Sequence, residues 1–457
     1  MSWLVLGLWL LGSGPGAEPT AGPELSNAAV RLSLREVIAL AVAHYPELPV
    51  VEAQRAQAEA LEAIAQRTRR TPQLSGTALL GTVPAARGDL LSSPDSPRQL
   101  GDLGPFWRLR LDARWPLYAF GRFADAERAA QSLVASRGAK RDAVANRARE
   151  LAARSYFGHL LAQQGLALIE EVGGHLEELE QRLAEPGAGG AAPDPLATLR
   201  ARTYRFELDK LEAEAESRLV LAGEGLRAVV GYPLDAAVRP AAERLEPISL
   251  ELPDLETGLR EAAAARPELK ELELAAEAKR LWARSVSKQS WPSLGLEGRA
   301  EYGEAPGRDK QDNPFAYDPF NVLTLGAALA LRWDLNFQLG AAQAAQATAE
   351  ADELQAQRDA LLATTRIEVI EAHARLTEAQ RIYQASRRAR SAAANWLRVA
   401  EESHALGTTG WSDLIDAFSS SIRIRGDQLE AIHDLNLALL GWRLALGREP
   451  LEAGESL

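Results

Sequence analysis

The chain has 457 residues, 46% of them hydrophobic and 25% charged, with a formal net charge of -12 at neutral pH. That length permits a sizeable buried core, while the acidic balance opposes association with nucleic-acid phosphates. Cysteine is absent, which excludes disulfides, thiolate metal sites, cysteine nucleophiles and lipid attachment through an N-terminal cysteine.

The first apolar run, WLVLGLWLL (3–11), is too short to cross a bilayer as a helix. Small residues and prolines follow it, so residues 1–21 read as a secretory signal peptide, although the first basic residue is Arg31. No later window holds the roughly 20 apolar residues of a membrane helix. Any entry into a membrane must therefore be as β-structure.

From residue 32 the sequence reads twice. LREVIALAVAHYPEL (34–48) returns as LETGLREAAAARPEL (255–269), TPQLSGTALLG (71–81) as WPSLGLEGRAE (291–301), and RWPLYAFGR (114–122) as RWDLNFQLG (332–340). The three matches keep their order and one offset of about 220 residues, which predicts two copies of one unit. The expected repeats cover 32–235 and 255–447, with a linker at 236–254 and a tail at 448–457.

Each repeat opens with a short helix that ends at Pro-Glu-Leu, the proline at a first helical position. A helix of about 24 residues follows (46–70; 267–290). Next come two strands (72–83 and 105–118; 292–303 and 321–336), a very long helix (121–184; 340–405), a tight turn, and a helix of about 36 residues (195–230; 412–447).

The strands alternate between two kinds of residue. In RLRLDARW (108–115), Leu109, Leu111, Ala113 and Trp115 share one face, and Arg108, Arg110, Asp112 and Arg114 the other. VLTLGAALALRWDL (322–335) sets Leu323, Leu325, Ala327, Leu329, Leu331, Trp333 and Leu335 against Thr324, Gly326, Ala328, Ala330, Arg332 and Asp334. A soluble sheet with one wet face is the plain alternative. Three features favour lipid: strands of about ten residues or more, tryptophans at strand ends (Trp107, Trp115, Trp291, Trp333) as in interfacial belts, and long polar loops (84–104; 304–320).

Four strands cannot close a barrel, for which about eight is the smallest workable number. An open edge in lipid costs several kcal/mol per unsatisfied backbone group, so protomers must contribute strands to a shared ring. A helix of about 64 residues extends roughly 95 Å, enough to carry a tube far beyond a membrane. A soluble coiled-coil spacer is the bland reading of the helices, but it leaves the two-faced strands without a purpose.

The order helix, PEL, helix, strand pair, RWxL, long helix, turn and helix, performed twice, resembles the TolC-type outer-membrane efflux proteins. GTTGWSDLIDA (407–417) resembles that family's Gly-Thr-x-x-x-x-Asp-x-x-Asp-Ala segment. The resemblance covers nearly everything after residue 32. It implies a mainly α fold with a small membrane β-barrel contribution: a homotrimer whose twelve strands form one barrel in outer-membrane lipid, continued by a helical tunnel through the periplasm. It further implies docking to a periplasmic adaptor and an inner-membrane pump, and passive conduction of solutes or secreted polypeptides.

Ser412 is the expected N-cap of the last helix, with Asp413 and Asp416 in its first turn, where acids complement the helix dipole. The resemblance gives these two positions a second role, as stacked acidic rings at the pore constriction. Asp194, before Pro195, is the matching acid of the first turn, with capping alone as the other reading. His404 stands where the family often has tyrosine, and Thr409 where it often has arginine, so the closing network is expected to be weaker or differently built. His404 either adds pH sensitivity, since histidine is the side chain that changes charge nearest neutrality, or is an exposed substitution without that role. The six histidines lack metal-ligand spacing, and no Walker loop, hydrolase elbow or dinucleotide fingerprint occurs. The expectation is a protein that is not an enzyme and that uses no metal or cofactor.

Overall fold

A computed structural model describes residues 30–88, 102–184, 195–233, 235–248, 252, 254–311 and 313–449. The expected signal peptide (1–21), Asp194 and residues 89–101 of the first polar loop lie outside the described residues.

Strand β1 (Val30–Leu32) leads into helix α1 (Leu34–His44). Ser33 and Glu36 form a capping box: the Glu36 carboxylate accepts from the Ser33 N–H at 2.8 Å, and the Ser33 hydroxyl accepts from the Glu36 N–H at 3.3 Å. Helix α2 (Leu48–Arg70) carries proline in its first turn, and strands β2 (Gln73–Pro84) and β3 (Leu103–Tyr118) follow. Helix α3 (Arg122–Ala184) runs for 63 residues, and α4 (Pro195–Val230) returns antiparallel beside it.

The second half has strand β4 (Val238–Pro240), helices α5 (Leu255–Ala265) and α6 (Pro267–Ser287), strands β5 (Ser293–Glu304) and β6 (Val322–Arg332), then α7 (Phe337–Ala405) and α8 (Trp411–Ala445). Asp254 caps α5 by accepting from the Thr257 N–H at 2.9 Å. At 1.5 Å per residue, α3 and the 69-residue α7 are about 95 and 104 Å long.

The four long strands form one antiparallel sheet in the order β2-β3-β5-β6, with β2 and β6 as its edges. The helices attached to them keep that order, since α2 packs on α3, α3 on α6 and α6 on α7. Sheet and helices are therefore one continuous row of four. Between β3 and α3 the chain turns through Phe120 (φ 51°) and Gly121 (φ 81°), both left-handed. Glycine meets that demand freely; Phe120 is held there by rings on either side.

The largest buried cluster lies where α1, α3, α4 and α8 meet, around Leu34, Val37, Tyr156, Phe157, Leu160, Leu226 and Val230. Burial of each such side chain contributes roughly 1.5–3 kcal/mol. The segment expected to be a plain linker crosses this cluster and contains β4, which pairs in parallel with β1. Two three-residue strands are too short for alternation to reveal. Beyond β4, Asn436 of α8 fastens the linker: its side-chain amide donates to the Glu246 carbonyl, and its oxygen accepts from the Ile248 N–H, both at 2.9 Å.

Candidate functional site: a two-faced sheet and a packed helical tip

Register explains the two faces. Leu109 lies opposite Tyr302, which lies opposite Leu323; Leu111, Ala300 and Leu325 form the next row, and Trp115, Leu296 and Leu329 another. These residues share one face, and solvent reaches most of them, including Leu325 at 85% exposure. Among the described residues nothing covers this face.

The opposite face carries charges in register. Arg110 faces Glu301, Asp112 faces Arg299, and Arg114 faces Glu297 across β3 and β5, with closest approaches of 3.0, 2.7 and 3.2 Å. Arg108 adds a second contact to Glu301 at 3.4 Å, and Arg332 of β6 a second to Glu297 at 2.8 Å. Opposite charges set directly across a sheet stabilise the pairing. The result is a polar wall behind an apolar one.

Aromatic residues gather at the helix-side edge of the sheet. Tyr118, Phe120 and Trp291 contact one another in sequence, with ring centroids 4.9 and 5.2 Å apart. Trp333 and Leu335 lie past the end of β6 rather than on its face, because the strand stops at Arg332. Trp333 is fixed instead by donating its indole N–H to the Ser290 carbonyl at 2.9 Å and by edge contact with Phe337. Trp115 sits at the same end on the apolar face, and Trp107 at the loop end, opposite Leu80.

The far ends of the long helices pack around Leu168, Val172, Leu176 and Leu183 of α3, Ala197 and Ala201 of α4, Ala400 of α7, and Leu414, Ile415 and Ala417 of α8. Gly407 (φ 73°) breaks α7, as a left-handed C-terminal glycine does. The cap of α8 is Gly410, not Ser412. Trp411 is thereby placed in the first turn, its ring 4.0 Å from that of His404, while the Ser412 hydroxyl accepts from the Arg200 guanidinium of α4. Asp413 is then in the first turn, and Asp416 lies one turn further on.

Asp413 and Asp416, three residues apart, share the exposed face of α8, opposite buried Leu414, Ile415 and Ala417. His404 is half-buried, which corrects its reading as an exposed substitution. Its Nδ1 lies 3.0 Å from the Thr409 carbonyl oxygen, to which it donates when that nitrogen carries the proton. Thr409 thus closes the turn through its backbone, and its own hydroxyl is buried without a partner among the described residues. The structure brings Asp413 with Asp416 and His404 with Thr409.

Sequence reasoning missed the clamp behind these residues. Arg425 of α8 donates to both carboxylate oxygens of Glu171 on α3, at 2.8 and 2.6 Å, and this bond holds the Glu171 carboxyl below its ordinary range. The two residues are 254 positions apart, and no local pattern pairs them. Among the described residues no three His, Asp or Glu side chains converge as a metal site, and no helix is long and apolar enough to cross a membrane.

No protein-family model and no curated protein matches the chain. Solved structures do. CusC, described for its transmembrane channel formation, aligns over 93% of this chain and 96% of its own at 18% identity and a TM-score of 0.70. VceC, an outer membrane protein of Vibrio cholerae, aligns over 91% and 96% at 18% identity and a TM-score of 0.68. The MtrE outer membrane channel of Neisseria gonorrhoeae, in its open state, aligns over 91% and 89% at 20% identity and a TM-score of 0.69. At such identity the likeness is one of fold: this chain has the fold of outer-membrane channel proteins, and its mainly helical chain with a few strands is the protomer fold that the TolC-type resemblance implies.

Proposed function

We propose that the chain is an outer-membrane exit duct, passing solutes from a tripartite efflux pump or a type I secretion system, with its long helices in the periplasm. The observation that carries this reading is the sheet. One face is apolar and open, the other is a ladder of ion pairs, and both edge strands lack a further strand partner among the described residues. Lipid on the first face and water on the second satisfy both; a soluble periplasmic scaffold leaves the apolar face in water.

Three copies of the row of four make a closed ring of twelve strands, and the attached helices, kept in the same order, continue it as a tunnel. The unit within each copy is itself duplicated in this reading, as the repeated motifs suggest. Trp107, Trp115, Trp291 and Trp333 are assigned to the membrane interfaces. Asp413 and Asp416, with Asp194 of the first turn, are assigned to the constriction, where carboxylates around a narrow pore favour cations over anions. Conduction is passive, the pump supplying the energy, and no catalysis is assigned to the chain.

Because the chain has no cysteine, one introduced thiol reports one place. Leu406, at the tip and 80% exposed, is suited to it. With Leu406→Cys and a thiol–amine cross-linker in living cells, the expected product joins the chain to a periplasmic adaptor or an inner-membrane pump. The parent protein should fractionate with the outer membrane as a trimer. Recovery as a soluble periplasmic monomer overturns the reading.

A further inference from the structure

On the helical side of the sheet the row of four helices encloses a cavity of about 1060 Å³. Leu61 and Ile64 of α2, Leu133 of α3, Leu272 and Trp282 of α6, and Leu354 of α7 give it an apolar lining. Helices α2 and α7 stand at opposite ends of the row and pack on different neighbours, yet both line this one space. The row is therefore curved, with the cavity on its concave side. Thr68, Arg122, Phe123 and Gln289 also border a second recess that reaches Arg114, Glu297 and Arg332. Those three belong to the charged face of the sheet, so the cavity opens on the polar side and not on the lipid side. In the duct reading a neighbouring copy continues the row at the outer flanks of α2 and α7, which leaves the concave face to the lumen.

The charges in this cavity do not cancel. Lys279 is paired with Glu350 at 2.5 Å. Arg137 lies in the field of Glu271, whose carboxyl burial pushes up. Arg122 is half-buried with no carboxylate partner among the described residues; its guanidinium rests over the Phe123 ring, 4.7 Å from the centroid. Burial alone pushes its pKa down. Taking a cation from water without a counter-charge is unfavourable, and an anion supplied by a ligand relieves it.

We propose that this cavity is a binding site for amphiphilic organic anions, with the acidic head on Arg122 and the apolar body against Trp282, Ile64 and Leu61. The proposal rests on the duct reading, in which the concave side is the lumen, and it places a station for such cargo just before the barrel. Size fits: pockets for organic ligands commonly span 300–1,000 Å³.

The test uses the full-length chain in lipid nanodiscs and two fluorescent probes with similar aromatic bodies, anionic 1-anilinonaphthalene-8-sulfonate and uncharged N-phenyl-1-naphthylamine. The anionic probe should bind the parent more tightly. Arg122→Gln should weaken the anionic probe about tenfold and leave the neutral one unchanged, while Arg122→Lys should recover part of the loss. Trp282→Ala should weaken both. A thiol at Leu61→Cys should react with maleimide in the assembled protein and be protected by the anionic probe. Equal affinity for the two probes, indifference to Arg122→Gln, or a Leu61→Cys thiol already shielded by a second copy overturns the site. Trimer formation and outer-membrane recovery are scored on the same preparations, so failure of the site is distinct from failure of the duct reading.

Discussion

At the residue scale, the positions most exposed to change are those where packing admits one side chain only. A Cβ on Gly258 of α5 comes within 2.4 Å of the ring of Trp442, a buried residue of α8. Gly258→Ala should cost about 1–3 kcal/mol through overpacking, visible as a lower midpoint in thermal unfolding of the detergent-solubilised protein. His159 presents a different vulnerability. It is buried on α3 near Gly223, its Nδ1 without a partner among the described residues, and burial holds its pKa below the ordinary histidine value. The charged form is therefore favoured by unfolding. The stability tied to neutral His159 is present above the unfolded-state pKa and is lost as pH falls from that value to the lower folded one. His159→Leu should remove that acid-side loss, which melting curves across this window will register.

At the scale of elements, the tip and the linker depend on single clamps. The Glu171 carboxyl is depressed by its bond to Arg425, so its contribution is present above the ordinary carboxylate range and vanishes as pH falls through the lower folded value. Glu171→Gln at neutral pH should mimic that acid state and raise hydrogen exchange several-fold over 400–420, with β3 and β5 unaffected. Much of this architecture was legible beforehand. Period-two alternation exposed the two-faced strands because Leu109, Leu111, Ala113 and Trp115 keep one face for the whole strand, and the long Ala- and Glu-rich stretches could only be helix. Other features were not legible, for physical reasons. Three residues each in β1 and β4 carry no period, and Asn436 meets Glu246 and Ile248 only because the chain folds back over about 190 positions. At α8 the local rule favouring a serine cap lost to tertiary contacts: Trp411 on His404, and Arg200 on Ser412. The acids Asp413 and Asp416 were legible as residues at the start of the last helix, whereas their shared exposed face and the His404–Thr409 tie needed the structure of the tip.

At the scale of the whole molecule, the apolar and charged faces of the sheet should respond oppositely to the same substitution. Leu325 lies mid-strand on the apolar face, and Thr324 beside it on the other. An arginine at the bilayer midplane of a barrel costs about 2–4 kcal/mol, and the proposed ring of three copies would bear it three times. Leu325→Arg should abolish recovery of the assembled protein from outer membranes, whereas Thr324→Arg, on the side already lined by Arg110, Arg114 and Arg332, should assemble normally. Equal behaviour of the two variants would place both faces in the same medium.

The left-handed step at Phe120 and Gly121 joins two rulers of different pitch. Above it, side chains repeat every two residues; below it, roughly every seven residues complete two helical turns. An insertion in β3 preserves its facing only when it comes in pairs, each lengthening the wall by about 7 Å, while one in α3 preserves its packing only in blocks of about seven, each adding about 10 Å. In the proposed duct, adaptation to a thicker bilayer and adaptation to a wider periplasm are thus separate evolutionary dials with different step sizes, and a single inserted residue on either side of the step satisfies neither.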